Sequence, residues 1–248
     1  MINEINWYNP WSIAIGLNAV LLALAFLIPK KLLTPAGYIH AWLLGVLVWG
    51  TLGWQGYIVV MFYFLVGSAV TFVGMAQKEA EGIAEERSGA RGPGNVWGSA
   101  LTGTICAIAT LFCDYPLQEL LILGYVASFS TKLSDTVASE IGKAYGKRTF
   151  LITTLKPVPR GTEGAVSLEG TLAGIVASVA IAGTAWGIGM INLVGIIWCA
   201  IAAFIATTIE SLIGATLESR FTRLTNDLVN FTNTLIGAIA AMLLTSIF

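Results

Sequence analysis

Charged side chains are scarce in this sequence. Asp, Glu, Lys and Arg make up 11% of its 248 residues, about half the share of an ordinary soluble domain. The net charge is −1, so the uncompensated basic surface that holds a nucleic acid is missing, and none is expected as a partner. Histidine occurs once, at His40, which excludes a His-rich metal centre. His40 itself reads as a membrane-interface residue. The three cysteines, Cys106, Cys113 and Cys199, lie in apolar runs without metal-type spacing and read as small buried hydrophobes. What the chain has in quantity is apolar surface: 56% of residues are hydrophobic and the mean hydropathy is +0.80. The solvent for most of that surface is lipid.

A membrane-spanning helix needs roughly 20 mostly apolar residues, and the sequence offers about eight such runs. They lie near 10–28, within 38–76 (two runs, broken around Gly50–Gly56), and near 96–112, 117–142, 167–186, 190–217 and 228–248. The expected fold is all-α: a polytopic transmembrane helical bundle forming one domain over 1–248. Residues 1–76 supply three almost purely apolar spans, and 77–248 carry the polar motifs. No Lys or Arg precedes the first run and no small-residue cleavage pattern follows it, so it reads as a retained span and not as a signal peptide.

Lys and Arg mark the cytoplasmic side of a membrane protein. Lys30 and Lys31 follow the first span; Lys78, Arg87 and Arg91 follow the third. Lys143, Lys147, Arg148, Lys156 and Arg160 follow the fifth, and Arg220 and Arg223 the seventh. Lys132 lies inside span five toward the same end. The loops after spans two, four and six carry neither residue. An eight-span count therefore sorts every basic residue to one side and places both termini on the non-cytoplasmic side, with Asp114 and Glu119. Trp7, Trp11, Trp42, Trp49 and Trp54 fall near span ends, where aromatic belts form.

Ionisable residues inside spans are costly unless they face a partner or a cavity, which makes them functional candidates. In span five, Gly124, Ser128, Thr131, Asp135, Ser139, Gly142 and Gly146 recur at three- and four-residue steps on one helix face. Lys132 and Asp135, three apart, can meet there, whereas Glu140 points elsewhere. The bland alternative is a small-residue packing face with one buried ion pair. In the loop KPVPRGTEGAVSLEGTLAG, Lys156 and Arg160 bracket two prolines, and Gly161, Gly164 and Gly170 bracket Glu163 and Glu169. Glycines admit close backbone approach to an oxyanion, the cations neutralise it, and the following helix adds its N-terminal dipole. This composition suits a phosphate; a basic loop serving topology alone is the alternative. GKAYGKR is not a Walker loop, because its glycine spacing is one short and Arg148 stands where Ser or Thr is needed.

Further on, Glu210, Gly214 and Glu218 are four apart, and Asn226, Asn230 and Asn233 form a second stripe beside Asp227. Carboxylates and amides there suit a hard cation such as Mg²⁺, with its waters and phosphates. Interhelical hydrogen bonding is the alternative for the asparagines. In EAEGIAEERSGARGPGN, a mixed-charge loop that also reads as a solvated connector, Arg91 is the best candidate. Acids for metal, bases for phosphate and glycine loops for close approach are the ingredients of phosphoryl transfer, where positioning and charge neutralisation do most of the catalysis.

The run SDTVASEIGKAYGKRTFLITTLKPVPRGTEGAVSLEGTLAG, with ERSGARGPGNVWGSA before it and ESLIGATLESR and LTNDLVNFTNT after it, resembles the integral-membrane phytyl-phosphate kinases of plants and cyanobacteria. The group includes uncharacterised transmembrane homologues. More distantly, the pattern is similar to CTP-dependent dolichol and phytol kinases. The resemblance covers about residue 78 to the C-terminus. It implies phosphoryl transfer from a nucleoside triphosphate, CTP by family habit, to a polyprenyl monophosphate. The product would be phytyl diphosphate for tocopherol synthesis and phytol salvage, made at a plasma or thylakoid membrane with the active face cytoplasmic. The carry-over falls on Asp135, Glu140, Lys147, Lys156, Glu163, Gly164, Glu210, Asn226 and Asp227.

On that reading Asp135, Glu140 and Asp227 are the catalytic candidates, and these three with Glu210 would place Mg²⁺. Lys132, Lys147, Lys156, Arg160, Gly161, Glu163, Gly164 and Arg91 would hold nucleotide phosphates, and Asn226, Asn230, Asn233 and Glu218 would form the polar substrate stripe. Two rivals stand beside it: a kinase of the prenyl alcohol, with Asp135 as base, and a membrane transporter. A transporter predicts two-sided polar access and inverted repeats, and neither is visible. The sequence leaves the oligomeric state open.

Overall fold

The computed structural model describes residues 9–27, 31–218 and 225–248, apart from the side chains at 86, 88, 217 and 218. Trp7, Lys30, Arg220, Arg223 and the side chain of Glu218 thus lie outside the described residues. The architecture is a helical bundle: α1 (Pro10–Leu27), α2 (Pro35–Thr71), α3 (Met75–Ala80), α4 (Pro93–Ala109), α5 (Leu117–Tyr145), α6 (Leu168–Gly187), α7 (Leu193–Ile213) and α8 (Asn226–Ile247).

Five of these, α1, α2, α6, α8 and α7 with the π-turn that follows it, are long and apolar enough to cross a membrane. α4, at 17 residues, is shorter, and α5 is diluted by Ser, Thr and charged residues. α2 is the exception to a one-helix, one-span reading. Its 37 residues would measure about 55 Å if straight, well beyond a bilayer core of about 30 Å. Gly53 breaks it with φ +62° and ψ −155°, a backbone conformation that favours glycine. The limbs 35–52 and 54–71 fold back on each other there. Thr34 N–H donates to the Arg91 carbonyl at 3.0 Å, at the start of the first limb. The Arg91 guanidinium meanwhile donates to Tyr63 Oη at 2.8 Å on the second. One residue could not touch both along a straight helix. The break falls inside the expected Gly50–Gly56 interval.

α5 is the central helix, packed against α2, α4, α6, α7 and α8. Tyr125, Phe129 and Leu133 are fully buried along it, and Tyr125 Oη donates to the Gly56 carbonyl at 2.6 Å. Lipid is as apolar as these side chains, so helices in it associate through close packing and hydrogen bonds. The α5–α6 contact illustrates this: a Cβ on Gly170 would lie 2.5 Å from the Ala138 carbonyl oxygen, and one on Gly174 2.9 Å from that of Ser134. Elsewhere Asn18, buried in α1, accepts from Tyr57 Oη at 2.9 Å. His40 Nδ1 accepts from Trp97 Nε1 at 2.9 Å.

Among the described residues, two strands pair as an antiparallel hairpin, β1 (Thr149–Leu151) and β2 (Ala165–Ser167). Pro157 and Pro159 exclude helix from the segment between, and Thr149, Phe150 and Val166 favour strand. Ser167 ends β2 and caps α6, accepting from Gly170 N–H at 3.1 Å.

Candidate functional site

Successive long segments alternate in direction, so alternate ends meet. At one end of the bundle they enclose a polar cavity of about 530 Å³. Its wall comes from the end of α2, the 85–91 loop, the first turns of α4, the second half of α5, the hairpin loop, the start of α6, the end of α7 and the start of α8.

Lys132, on α5, is a buried charged group on this wall. Its ammonium is 2.6 Å from Asp135 Oδ2, as the three-residue spacing predicts, and 2.5 Å from Asn230 Oδ1 on α8. The Asp135 carboxylate also lies within hydrogen-bonding reach of Glu210 on α7, and Glu210 accepts from the Asn233 amide nitrogen. Three helices thus converge on one cation and two carboxylates. Beside them, the buried Asn233 Oδ1 and Thr131 Oγ1 have no hydrogen-bond partner among the described residues.

Asp135, Glu210 and Asn233 Oδ1, unpartnered among the described residues, are the groups here that could hold a Mg²⁺ ion. The Lys132 ammonium already offsets part of the repulsion between the two carboxylates, and carboxylate and amide oxygens are hard ligands of the kind Mg²⁺ takes. Among the described residues no three His, Cys, Asp or Glu side chains form a closed metal cage. Mg²⁺ characteristically takes one or two carboxylates and completes its shell with water and substrate phosphate.

Glu140 faces a different partner. It forms an ion pair with Lys78, whose ammonium also donates to the Thr71 carbonyl at 2.8 Å at the end of α2. Lys143 stands 3.8 Å from Glu140 and 3.1 Å from Glu85. Burial alone would raise the Glu85 carboxyl, but the Lys143 ammonium beside it outweighs burial and holds it below the ordinary Glu value. Arg160 completes the strapping: it pairs with Glu81 at 2.6 Å and reaches the Ala144 carbonyl at 3.3 Å.

Two guanidiniums on the cavity wall have only neutral hydrogen-bond partners among the described residues. Arg91 is bonded to Tyr63 Oη and stacked 5.1 Å from the Tyr63 ring centroid. Arg87 donates to Asn95 Oδ1 at 2.8 Å. Arg87 has φ +54°, a left-handed conformation that a bulky side chain adopts at a free-energy cost. Asn95 Nδ2 is 3.4 Å from Asp227 Oδ1, and the Asp227 carboxylate rests against Gly94 in the first turn of α4, where the helix dipole favours negative charge.

Of the residues singled out in the sequence, the cavity wall brings together Arg91, Lys132, Asp135, Glu140, Gly161, Glu163, Gly164, Glu210, Asn226 and Asn230. Gly161 (φ +81°) and Gly164 (φ +72°) carry the loop over it in left-handed turns. Asn233 lies behind the wall, bonded to Glu210. Asp227 is set apart from the Asp135–Glu210 pair, at α4. Lys147, just before β1, and Lys156, in the hairpin loop, are exposed and outside the wall. Lys78 and Arg87 were legible in the sequence only as topology signals. Lys78 carries no local sign of its role, because its partner is 62 positions away. Arg87 shares the glycine-rich setting that distinguishes Arg91.

Similar proteins agree with the motif resemblance. The chain is 64% identical over 233 residues to an uncharacterized membrane protein of Synechocystis sp., covering 94% of this chain and 90% of the relative. It is 45% identical over 238 residues to the chloroplastic protein VTE6 of Arabidopsis thaliana, covering 94% of this chain and 72% of the relative. An uncharacterized membrane protein of Methanocaldococcus jannaschii is 30% identical, with 91% of each chain covered. No solved structure matches. A family profile matches residues 18–238, and the chain belongs to that family, the integral membrane proteins DUF92.

Proposed function

We propose that this protein transfers the γ-phosphoryl group of a nucleoside triphosphate, CTP as the family resemblance implies, to a polyprenyl monophosphate such as phytyl phosphate. The single observation that carries the reading is the composition of the cavity. Lys132, Asp135 and Glu210 line it together, two guanidiniums free of carboxylate partners among the described residues stand on its wall, and a glycine-rich loop runs over it. Relatives at 64% and 45% identity in a cyanobacterium and a plant chloroplast fit a phytyl-linked role.

An oxygen of the acceptor phosphate attacks the γ-phosphorus, and the bond from that phosphorus to the β–γ bridging oxygen breaks. The products are a prenyl diphosphate and a nucleoside diphosphate. The acceptor oxygen is already anionic near neutral pH, so no strong general base is required. Arg87, Arg91 and Lys132 spread the negative charge that builds on the transferring group. Asp135 and Glu210 would hold Mg²⁺, which when bound neutralises nucleotide phosphates. The exposed Lys147 and Lys156 would draw the nucleotide toward the cavity by long-range attraction.

We further propose eight crossings: α1, the two limbs of α2, and α4 to α8, with both termini on the non-cytoplasmic side and the cavity on the cytoplasmic side of a plasma or thylakoid membrane. The test is purified protein in nanodiscs given phytol or phytyl phosphate, each with CTP, ATP, GTP or UTP and Mg²⁺. Phytyl diphosphate from phytyl phosphate is the expected product. Phosphorylation of phytol alone would instead make the protein an alcohol kinase.

A further inference from the structure

The polar cavity has an open side. Ile175 on α6 and Phe204 on α7 line it and are 36% and 48% exposed. They belong to the outward apolar rows of their helices, beside Val176 and Val179 on α6 and Ile201 and Ile205 on α7. A side chain that borders the cavity and also faces lipid marks a gap in the wall. α6 is held tightly to α5 through Gly170 and Gly174, so the gap lies on its other flank, toward α7.

The gap is graded in polarity. Thr207 and Thr208 follow Phe204 along the cavity, but their hydroxyls are spent on their own helix, donating to the Ala203 carbonyl at 2.9 Å and the Phe204 carbonyl at 2.7 Å. They offer a passing chain no free donor. Glu210 comes next, so apolar wall gives way to carboxylate within six residues, a rise of about 9 Å. An amphiphile with a hydrocarbon tail and an anionic head matches that gradient. Moving such a tail into water costs free energy for every methylene exposed; a tail that stays in lipid while its head enters the cavity avoids that.

A second groove exists between α1 and α2, of about 460 Å³, lined by Ala19, Leu22, Ala23, Phe26, Ile39 and Trp42. It is apolar throughout and shares no residue with the polar cavity. This groove is thus separate from the cavity that holds the ions.

We propose that the α6–α7 gap is a lateral portal, in which the aliphatic chain of a phosphorylated lipid lies between Ile175 and Phe204 with its phosphate inside the cavity. The identity of the head group rests on the phosphoryl-transfer reading above. The probe is a C20 prenyl monophosphate carrying a diazirine in its chain, photolysed on the full-length protein in nanodiscs, with labelled peptides located by mass spectrometry. Labels are expected within 171–175 and 204–208. Ile175→Trp should cut labelling and raise the KM for the C20 acceptor at least tenfold, with little change for a soluble C5 prenyl monophosphate. Val176→Trp and Ile205→Trp, which only face lipid, should change neither. Labelling in the α1–α2 groove, no specific labelling, or equal effects of Ile175→Trp and Val176→Trp would overturn the portal. Labels at the portal without transfer to any acceptor would support it while removing the kinase reading; transfer with labels elsewhere would do the reverse.

Discussion

Lys78 and Glu140, 62 positions apart in sequence, form an ion pair with side-chain exposures of 1% and 2%. The pair joins the short helix α3 to the central helix α5, whose Glu140 lines the cavity. It also explains why a carboxylate can line the cavity and yet sit away from Asp135 and Glu210.

Removing one partner of a buried pair leaves an uncompensated charge, which costs about 3–5 kcal/mol, whereas replacing both with apolar groups is often near neutral. Lys78→Met should therefore lower the thermal unfolding midpoint in detergent sharply, and Lys78→Met with Glu140→Met should recover most of the loss. Equal destabilisation of the single and double variants would show that the charge pairing is not what the site depends on.

Arg91 is held by stacking on Tyr63 as well as by hydrogen bonding. Lysine keeps the charge but loses the planar fork and the stack. Arg91→Lys should raise the KM for a phosphate-bearing substrate about tenfold, equivalent to about 1.4 kcal/mol, the scale of one lost charge-assisted hydrogen bond. Its unfolding midpoint should stay close to wild type. Unchanged steady-state kinetics would remove Arg91 from the phosphate-holding set.

Gly164 has φ +72°, and a Cβ there would lie 2.6 Å from the Ser211 carbonyl oxygen. Gly164→Ala adds about 1–2 kcal/mol of left-handed backbone strain to that clash and should lift the hairpin loop from α7. Limited proteolysis should then cut within 152–164 faster than in wild type. Cleavage at the wild-type rate would show that the loop tolerates the side chain.

The depressed Glu85 carboxyl gives a pH signature. Its folded value lies below the ordinary 4.5, so its stabilising contribution is complete above that value and is lost as pH falls through the folded one. The pair is partly exposed, with Glu85 at 41%, so the contribution is small. The gap in midpoint between wild type and Glu85→Gln should be constant from pH 7 to 5.5 and close below pH 4.5. A gap that widens with acidification would reverse the assigned sign.

Much of this arrangement was legible in the sequence because it is local. The α2 break needed only a glycine cluster inside a run too long for one span. The Lys132–Asp135 contact needed only a three-residue spacing. The stripe of Asn230 and Asn233 was visible, though its partners, Lys132 and Glu210, were not. Pairings across the chain carry no periodic signal, so Lys78 with Glu140 and Arg87 with Asn95 emerged only in three dimensions. The same holds for Asp227: its sequence neighbours suggest a stripe with the asparagines, but Gly94 opens a seat for its carboxylate on α4. The hairpin was hidden because its strands are three residues each, too short for an alternating pattern to declare itself.

Phosphoryl transfer to a prenyl monophosphate in the cavity around Asp135 is what we propose for this protein. The most direct measurement is transfer of ³²P from γ-labelled nucleotide to phytyl phosphate by purified wild type and by Asp135→Asn, with unfolding midpoints recorded for both. Labelled phytyl diphosphate is expected from wild type, and a rate about 100-fold or more lower from Asp135→Asn, whose midpoint falls with the loss of the Lys132 pair but stays above the assay temperature. Wild-type turnover by Asp135→Asn, or no transfer by wild type with any nucleotide, would contradict it.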